Sequence, residues 1–272
     1  MTAMTRVGVL GAAGRMGRTV CQAVAEDGEL ELVAAVDPGA SGSSLWAVTG
    51  MGSPSVTVAG DIGELERAGV EVAVDFTVAA SALANARWCA AHDVHTVIGT
   101  SGIGPGVLDE LAECFEASKA NCVVAPNFAI GAVLMMRFAA LAAPYMDAVE
   151  IVELHHDAKI DAPSGTAVRT AELMDEARRE AGASPWPPDP TTQSTVPGTR
   201  GGTGAGGVRI HSVRLPGLMA HQEVILGARG QSLTVRHDSY DRTSFMPGVL
   251  LAVKRVADRP GLTVGLEALL GL

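Results

Sequence analysis

The sequence predicts an α/β protein in which a Rossmann-type, doubly wound parallel sheet is joined to a second α+β domain with an open mixed sheet. Three observations predict it. A glycine-rich loop directly follows an apolar strand near the start of the chain, and strand and helix patterns then alternate through the first half. In the last third the pattern changes to neighbouring strands with alternating side chains. We therefore expect a first domain over residues 1–127, completed by residues 241–272, and a second over residues 128–240.

Composition and charge limit the classes of function. Hydrophobic residues make up 47% of the 272 residues and aromatic residues only 4%, so the core must consist mainly of Ala, Val, Leu, Ile and Met. The net charge is −10 and no basic block is present, which predicts neither a nucleic acid partner nor an anionic membrane partner. The four cysteines form no zinc-type spacing, which predicts buried thiols and no metal site. No signal peptide precedes the first strand and no apolar run reaches a membrane-spanning length of roughly 20 residues, so we expect a cytoplasmic protein.

The first strand and the loop behind it predict a dinucleotide site. Residues 6–10 (RVGVL) are apolar, and GAAGRMG follows with glycines at positions 11, 14 and 17. In such a loop Gly11 permits the sharp turn, Gly14 lets the pyrophosphate approach the backbone, and Gly17 lets the helix pack on the strand. A glycine triplet also occurs in turns that bind nothing. Here, however, a strand precedes it, a helix follows it, and a second strand at 31–36 ends in an acid.

That acid bears on the choice of cofactor. Asp37 stands where a carboxylate should meet the adenosine ribose, which favours NADH because a carboxylate repels the 2′-phosphate of NADPH. Pro38 follows it, where an NADPH site often places an arginine. Arg15 in the glycine loop is within reach of a 2′-phosphate, so use of both cofactors stays open. We expect NADH to serve at least as well as NADPH.

Three further strands of the first half end in polar turns. Ligands of doubly wound sheets lie at the carboxyl ends of the strands, so these turns are candidate cofactor contacts, although each could be an ordinary strand–helix turn. The strands and their turns are 71–76 with Thr77, 96–98 with GTSG at 99–102, and 122–125 with APNF at 125–128. Helices are predicted at 80–91 and 105–117, and a short strand at 56–58 within a polar excursion.

The second domain is predicted to begin with an apolar helix and to continue as a small sheet. The helix, residues 128–143, presents Ile130, Val133, Leu134, Phe138 and Leu141 at helical spacing on one face. An open sheet has edges that need cover, and pairing between subunits would supply it, so we expect a homotetramer. The later elements are strands at 149–154, 208–215, 222–226 and 232–237, helices at 165–181 and 243–257, and a long loop at 183–207.

The densest group of chemically active residues lies in the stretch ELHHDAKIDAPSGTA. His155, His156 and Lys159 are proton carriers or anion ligands, and Asp161 follows closely. A helix that begins near Gly165 would point backbone N–H groups at the same place, which suits a carboxylate or a phosphate. The alternative is a polar loop whose histidines only pack and cap, which fits this density before a helix start less well.

Together these motifs resemble the 4-hydroxy-tetrahydrodipicolinate reductase (dihydrodipicolinate reductase) family. The resemblance covers nearly the whole chain, and its specific part is HHxxKxDAPSGTA. It implies hydride transfer from NADH or NADPH to a cyclic, unsaturated dicarboxylate, with loss of water, in lysine and diaminopimelate biosynthesis. The motifs occur in the order VGVLGAAGRMG, DFT, GTSG, APNFAIGA, ELHHDAKIDAPSGTA, HSVRLPG and RHDSYDRTSF.

The resemblance also implies roles for single residues. His155 is similar to the family's general acid/base and Lys159 to its second proton donor, while His156, Gly165 and Thr166 would bind the substrate. Cofactor contacts would map to Gly11, Ala12, Ala13, Gly14, Arg15, Met16, Asp37, Thr77, Gly99, Thr100, Ser101, Ala125, Pro126, Asn127 and Phe128.

Two positions depart from the family's usual pattern. The turn that more often reads GTTG has Ser101 here, which keeps a hydroxyl and loses a methyl group. Ala13 stands where some relatives carry Lys, which removes one possible partner of a 2′-phosphate. Two alternatives remain, another two-domain NAD(P)-dependent amino-acid dehydrogenase and a protein that senses a dinucleotide without catalysis. An incomplete set of proton donors would fit the sensor, whereas His155 and Lys159 are both present.

Overall fold

The computed structural model describes residues 3–50, 56–100 and 102–272, and the chain divides into two compact units. The first unit comprises Met1–Phe128 and Phe245–Leu272, and the second comprises Ala129–Ser244. No helix in the described ranges is long and apolar enough to cross a membrane.

The first unit is built on a seven-stranded parallel sheet. With labels in chain order over both units, its strands are β1 (Thr5–Leu10), β2 (Leu30–Val36), β3 (Val58–Ala59), β4 (Val72–Asp75), β5 (His95–Ile98), β6 (Cys122–Val124) and β12 (Leu262–Val264). Its helices are α1 (Arg15–Glu26), α2 (Leu45–Thr49), α3 (Glu64–Arg67), α4 (Ala79–Ala91), α5 (Pro105–Glu116), α8 (Met246–Arg255) and α9 (Glu267–Leu270). The strand order β12-β6-β5-β4-β1-β2-β3 confirms the predicted doubly wound sheet.

The central strands form the core of this unit. Val7, Val9, Val74 and Val97 are completely buried, as expected for parallel strands that are covered on both faces. The buried side chains of these strands are mainly apolar, and a buried carboxylate, that of Asp75, lies at the edge of the sheet where β4 ends. That edge is where the predicted cofactor turns lie.

Strand β12 is an element that the sequence did not predict. Its three residues pair in parallel with Cys122–Val124. A run of three residues carries no measurable periodicity, so only its partner defines it as a strand. The short strand predicted at 56–58 is also displaced, because β3 occupies Val58–Ala59.

The second unit is a five-stranded mixed sheet with two helices packed against it. Its elements are α6 (Ile130–Ala142), β7 (Ala148–His155), α7 (Gly165–Glu180), β8 (Gly202–Thr203), β9 (Arg209–Arg214), β10 (Ala220–Ala228) and β11 (Gln231–Ser239). The strand order is β11-β10-β7-β9-β8, in which β7 and β9 are parallel and the other neighbours are antiparallel. The open mixed sheet is thus confirmed, and β8 lies inside the segment predicted as a long loop.

The buried face of α6 differs from the predicted one. Val133 is buried, but Phe138 is 50% exposed and Leu141 is 61% exposed. The face that packs instead carries Ala132, Met135, Met136, Ala139 and Ala140. Nearly every residue of this helix is apolar, so periodicity does not mark the inner face, and small or flexible side chains let the helix approach its neighbours closely.

Candidate active site

The glycine loop has the geometry that a bound pyrophosphate requires. Gly11 has φ +76°, a conformation that favours glycine, and its N–H donates to the carbonyl oxygen of Val36 at 2.8 Å. A Cβ atom at Gly17 would lie 2.0 Å from the carbonyl oxygen of Gly11, so only glycine lets α1 start this close to β1. Gly14 is the N-cap of α1 and carries no side chain to occupy the first N–H groups of the helix. That helix end is therefore suited to an anion.

Asp37 closes the other side of this loop. Its Oδ2 accepts a hydrogen bond from the N–H of Ala13 at 3.0 Å, and its Oδ1 accepts one from the N–H of Gly39 at 3.0 Å. The carboxylate is thereby held beside the loop, as the ribose contact requires.

A groove of about 510 Å³ opens beside these residues within the first unit. Four of the predicted cofactor residues line it, namely Gly11, Gly14, Asp37 and Thr77. The glycine cradle, the tethered carboxylate and the size of the groove fit the adenosine half of a dinucleotide. Arg15, at the start of α1, is exposed.

Asp75 organises the next two turns. It is completely buried at the end of β4, and its Oδ1 accepts from the N–H and the hydroxyl of Thr77 at 2.8 and 2.6 Å. The same oxygen accepts from the hydroxyl of Thr100 at 3.3 Å, and Oδ2 accepts from the amide of Asn85 at 2.8 Å. One carboxylate therefore joins the turn after β4 to the turn after β5.

The remaining predicted cofactor residues lie on the same edge of the sheet. The aromatic rings of Phe76 and Phe128 lie 5.8 Å apart, which brings the turns after β4 and β6 together. A Cβ atom at Gly99 would lie 2.2 Å from the ring of Phe76, so a larger residue there would displace that ring. Ser101 falls outside the described residues. Ala12, Ala125 and Phe128 are buried, while Ala13, Met16 and Asn127 are half-buried and Pro126 is exposed.

The second unit gathers a charged cluster at the end of β7. The carboxylate of Glu153 is fully buried, and its Oε2 lies 2.5 Å from Nδ1 of His155. Arg214 at the end of β9 donates to both carboxylate oxygens, at 2.9 and 2.8 Å. Arg214 also donates to the carbonyl oxygen of Asp161 at 2.7 Å, so the pair holds the loop that follows His155.

That loop carries Lys159 beside the imidazole. Nζ of Lys159 donates to both oxygens of Asp161, at 2.8 and 2.7 Å, and the lysine side chain is only 20% exposed. The N–H of Lys159 donates to the carbonyl oxygen of His156 at 3.2 Å, which makes a turn with an exposed His156 at its start. Hydrogen bonding to Lys159 holds the pKa of the exposed Asp161 carboxyl below its usual range.

Helix α7 starts next to the same cluster. Ser164 is its N-cap, and the hydroxyl of Ser164 accepts from the N–H of Ala167 at 3.2 Å. The N–H of Ser164 itself donates to Oε1 of Glu153 at 3.3 Å, which ties the helix start to β7. Gly165 and Thr166 are the first two residues of this helix, which begins where the sequence predicted.

Opposing influences set the protonation of the central pair. Burial raises the pKa of the Glu153 carboxyl, but hydrogen bonds from Arg214, Ser212 and His155 outweigh it and hold the pKa below its ordinary value. Burial lowers the pKa of the His155 imidazole, and its bond to Glu153 raises it. The nearby charges of Lys159 and Arg214 lower the pKa of His155 again, so it ends below the ordinary value.

The structure thus brings His155 and Lys159 together and adds partners that the sequence reasoning missed. Glu153, Arg214 and Asp75 were not singled out. Glu153 and Asp75 left a readable signal, because an acid inside an apolar strand pattern must find donors when it is buried. In the described residues, no group of three or more His, Cys, Asp or Glu side chains could hold a metal ion.

Two family models together match nearly the whole chain. The family model "Dihydrodipicolinate reductase, N-terminus" matches residues 5–128, and "Dihydrodipicolinate reductase, C-terminus" matches residues 131–270. The chain belongs to the dihydrodipicolinate reductase family. The 4-hydroxy-tetrahydrodipicolinate reductase of Cutibacterium acnes is 49% identical and is covered completely by 99% of this chain, and that of Moorella thermoacetica is also 49% identical, with 99% of both chains covered.

A solved structure of the family superposes closely. The dipicolinate-bound dihydrodipicolinate reductase of Paenisporosarcina sp. TG-14 has a TM-score of 0.84 and 40% identity, and the match covers 97% of this chain and 99% of that one. The amine dehydrogenase of Mycobacterium smegmatis, at 15% identity and a TM-score of 0.63, shares the fold alone.

Family membership confirms the predicted activity. The protein is an NAD(P)H-dependent oxidoreductase that reduces 4-hydroxy-tetrahydrodipicolinate to tetrahydrodipicolinate, with loss of water, in lysine and diaminopimelate biosynthesis. A dinucleotide sensor and a different amino-acid dehydrogenase are thereby set aside.

The Asp75 network yields a prediction about cofactor binding. Asp75→Ala would leave the donors of Thr77 and Asn85 without their buried acceptor, at a cost of about 1–3 kcal/mol for each unsatisfied group. We expect NADH to bind at least tenfold more weakly, measured by titration of NADH fluorescence, together with a lower melting temperature.

The matched control is Asp75→Asn. Its oxygen can still accept from Thr77, and the amide of Asn85 can rotate to accept from the new NH₂ group, so NADH binding should stay close to that of the unaltered protein. An Asp75→Ala variant with unchanged NADH affinity would show that the carboxylate does not organise the turns.

Proposed function

We propose that His155 and Lys159 are the proton-transferring residues of the reduction and that His156, Gly165 and Thr166 bind the dicarboxylate. The observation that carries this proposal is the cluster at the end of β7. There, the bonds of Glu153 and Arg214 join the imidazole of His155 to the loop that holds Lys159. The charge of Lys159 lowers the pKa of that imidazole. The start of α7 is joined to the same cluster through the bond between Ser164 and Glu153.

Two features support binding of a dicarboxylate at this place. The N–H groups at the beginning of α7 and the cation of Lys159 are both suited to carboxylate oxygens. The Paenisporosarcina relative binds dipicolinate, a planar dicarboxylate. Pyridine-2,6-dicarboxylate should therefore inhibit this protein as well.

The proton chemistry follows from the residues present. The reduced nicotinamide, when bound, supplies the hydride. Addition of the hydride leaves an electron-rich carbon on the substrate that must take a proton, and the protonated imidazole of His155 is suited to deliver one. The cationic Lys159 stabilises the dianion and the negative charge that develops on it. Asp161 holds Lys159 in place through two hydrogen bonds.

The proton-transfer roles predict the effect of two substitutions. His155→Gln should lower turnover by roughly 10²-fold or more with NADH affinity nearly unchanged, the usual scale for loss of a general acid. Lys159→Ala should weaken substrate binding and lower turnover together.

The assay is NADH oxidation followed optically with the dihydrodipicolinate synthase product as substrate. A suitable control is His211→Gln, because His211 bonds to Glu150 on the same strand and not to this cluster. Undiminished turnover in His155→Gln would remove this residue from the mechanism.

We further propose that NADH serves at least as well as NADPH. The support is Asp37, whose tethered carboxylate would repel a 2′-phosphate. Steady-state kinetics with both cofactors should give a kcat/KM for NADH equal to or above that for NADPH. A strong preference for NADPH would contradict this and point to Arg15 as a phosphate ligand, which Arg15→Ala would then test.

We also propose that the protein is a cytoplasmic homotetramer whose second units pair with one another. The support is the open sheet, whose outer strand β11 has an exposed Leu233. Helix α6, which packs against β11, also carries the exposed side chains of Phe138 and Leu141. Light scattering at micromolar concentration should give four times the chain mass of 27.8 kDa. A monomeric mass would rule this assembly out.

A further inference from the structure

Glu153 contacts one of the two ring nitrogens of His155. Glu153 lies two residues before His155 on β7, so both side chains project from the same face of the sheet. Oε2 of Glu153 lies 2.5 Å from Nδ1 of His155. Within the part of the chain that the structure describes, Nε2 of His155 makes no hydrogen bond.

We propose that Glu153 is the positioning residue of His155. It holds the imidazole in the tautomer with its proton on Nδ1 and so presents Nε2 for proton exchange. Arg214 keeps the Glu153 carboxylate in the charged form that this requires. The catalytic part of this inference rests on the proposed role of His155, whereas the tautomer does not.

The Glu153 carboxylate is surrounded by hydrogen-bond donors. Arg214, which carries only donors, contacts both oxygens, and the N–H of Ser164 donates to Oε1. A carboxylate held in this way is ionised and can only accept hydrogen bonds. The nitrogen of His155 that faces it must therefore be an N–H group. A neutral imidazole has a single N–H group, so Nε2 is left with its lone pair.

The charged groups around His155 determine how its pKa would change if one of them were removed. Glu153 favours the imidazolium, whereas Lys159 and Arg214 disfavour it. Asp161 faces Lys159, and the neighbouring positions on β10 and β11 are the uncharged Ala220 and Ser239. Loss of the Glu153 charge would consequently lower the pKa of His155 further.

The same strand provides a matched control with the opposite arrangement. Glu150 also binds an arginine and a histidine, but it contacts Nε2 of His211 rather than Nδ1, at 2.7 Å. Its side chain lies three residues before Glu153 and thus on the other face of the sheet. The same reasoning gives His211 the Nε2–H tautomer.

The substitution Glu153→Gln distinguishes a role of Glu153 in orienting the His155 imidazole from a role in stabilising the fold alone. Glutamine has one acceptor oxygen, which Nη2 of Arg214 and the N–H of Ser164 would occupy, so its NH₂ group would face His155. Nη1 of Arg214 would keep its bond to the carbonyl oxygen of Val213. That arrangement is satisfied only if Nδ1 loses its proton, and the tautomer should reverse to Nε2–H. Glu150→Gln should leave His155 unaffected.

The experiment is long-range ¹H–¹⁵N correlation NMR of the histidine rings above neutral pH, with His155 assigned from the spectrum of His155→Gln. In the unaltered protein we expect Nδ1–H for His155 and Nε2–H for His211. In Glu153→Gln we expect His155 to reverse and turnover to fall at least tenfold. The decline of kcat with rising pH should also begin at lower pH, since a proton donor with a lower pKa is lost earlier. Glu150→Gln should show none of these changes.

The possible results distinguish failure of this inference from failure of the proposed function. An Nε2–H form or a mixture for His155 in the unaltered protein would overturn the inference without any variant, so poor folding of Glu153→Gln does not protect it. Lost activity in Glu153→Gln with an unchanged His155 tautomer and pH profile would mean a purely structural role. If His155→Gln stays fully active, the proposed function fails, whatever the tautomer is.

Discussion

The buried pair of Glu153 and Arg214 is the interaction on which the charged cluster at the end of β7 depends. Removing a carboxylate from water is costly, and that cost is offset here by two guanidinium N–H groups, a backbone N–H and an imidazole. Breaking such a pair from one side typically costs about 3–5 kcal/mol, because the remaining charge stays buried. The pair joins β7 and β9 to the start of α7 and to the loop of Lys159. The residues that we propose to contact the substrate are thus held by one electrostatic centre.

The first unit also contains a buried carboxylate, which receives hydrogen bonds from a different set of donors. Asp75, also buried at the carboxyl end of a strand, is satisfied by hydroxyl, amide and backbone N–H groups. Its task is to align two turns beside the glycine loop. In both units apolar strands deliver the chain to one edge of a sheet, and a buried carboxylate then sets the conformation of the loops there. Apolar packing is non-directional, so it can bury the strands but cannot set the conformation of a loop. Hydrogen bonds are directional, and those to the buried carboxylates therefore do so.

The sequence predicted elements well where the pattern was long or chemically marked. The glycine loop, the alternation of the first half and the start of α7 at Gly165 are examples, because turn and cap residues have few alternative uses. It failed where the signal was weak or uniform. Strand β12 is too short to show a period, and the inner face of the almost wholly apolar α6 was assigned wrongly at Phe138 and Leu141.

By itself the sequence determined the fold class, the family and the residues whose chemistry suits the reaction, since these depend on local patterns and on motifs read in order. Only the tertiary structure decided how those residues are held. Arg214 lies 61 positions from Glu153, and Asn85 lies 10 positions from Asp75. Strand register and burial bring these distant donors to a carboxylate that is no longer exposed to water. Local sequence carries no record of that choice.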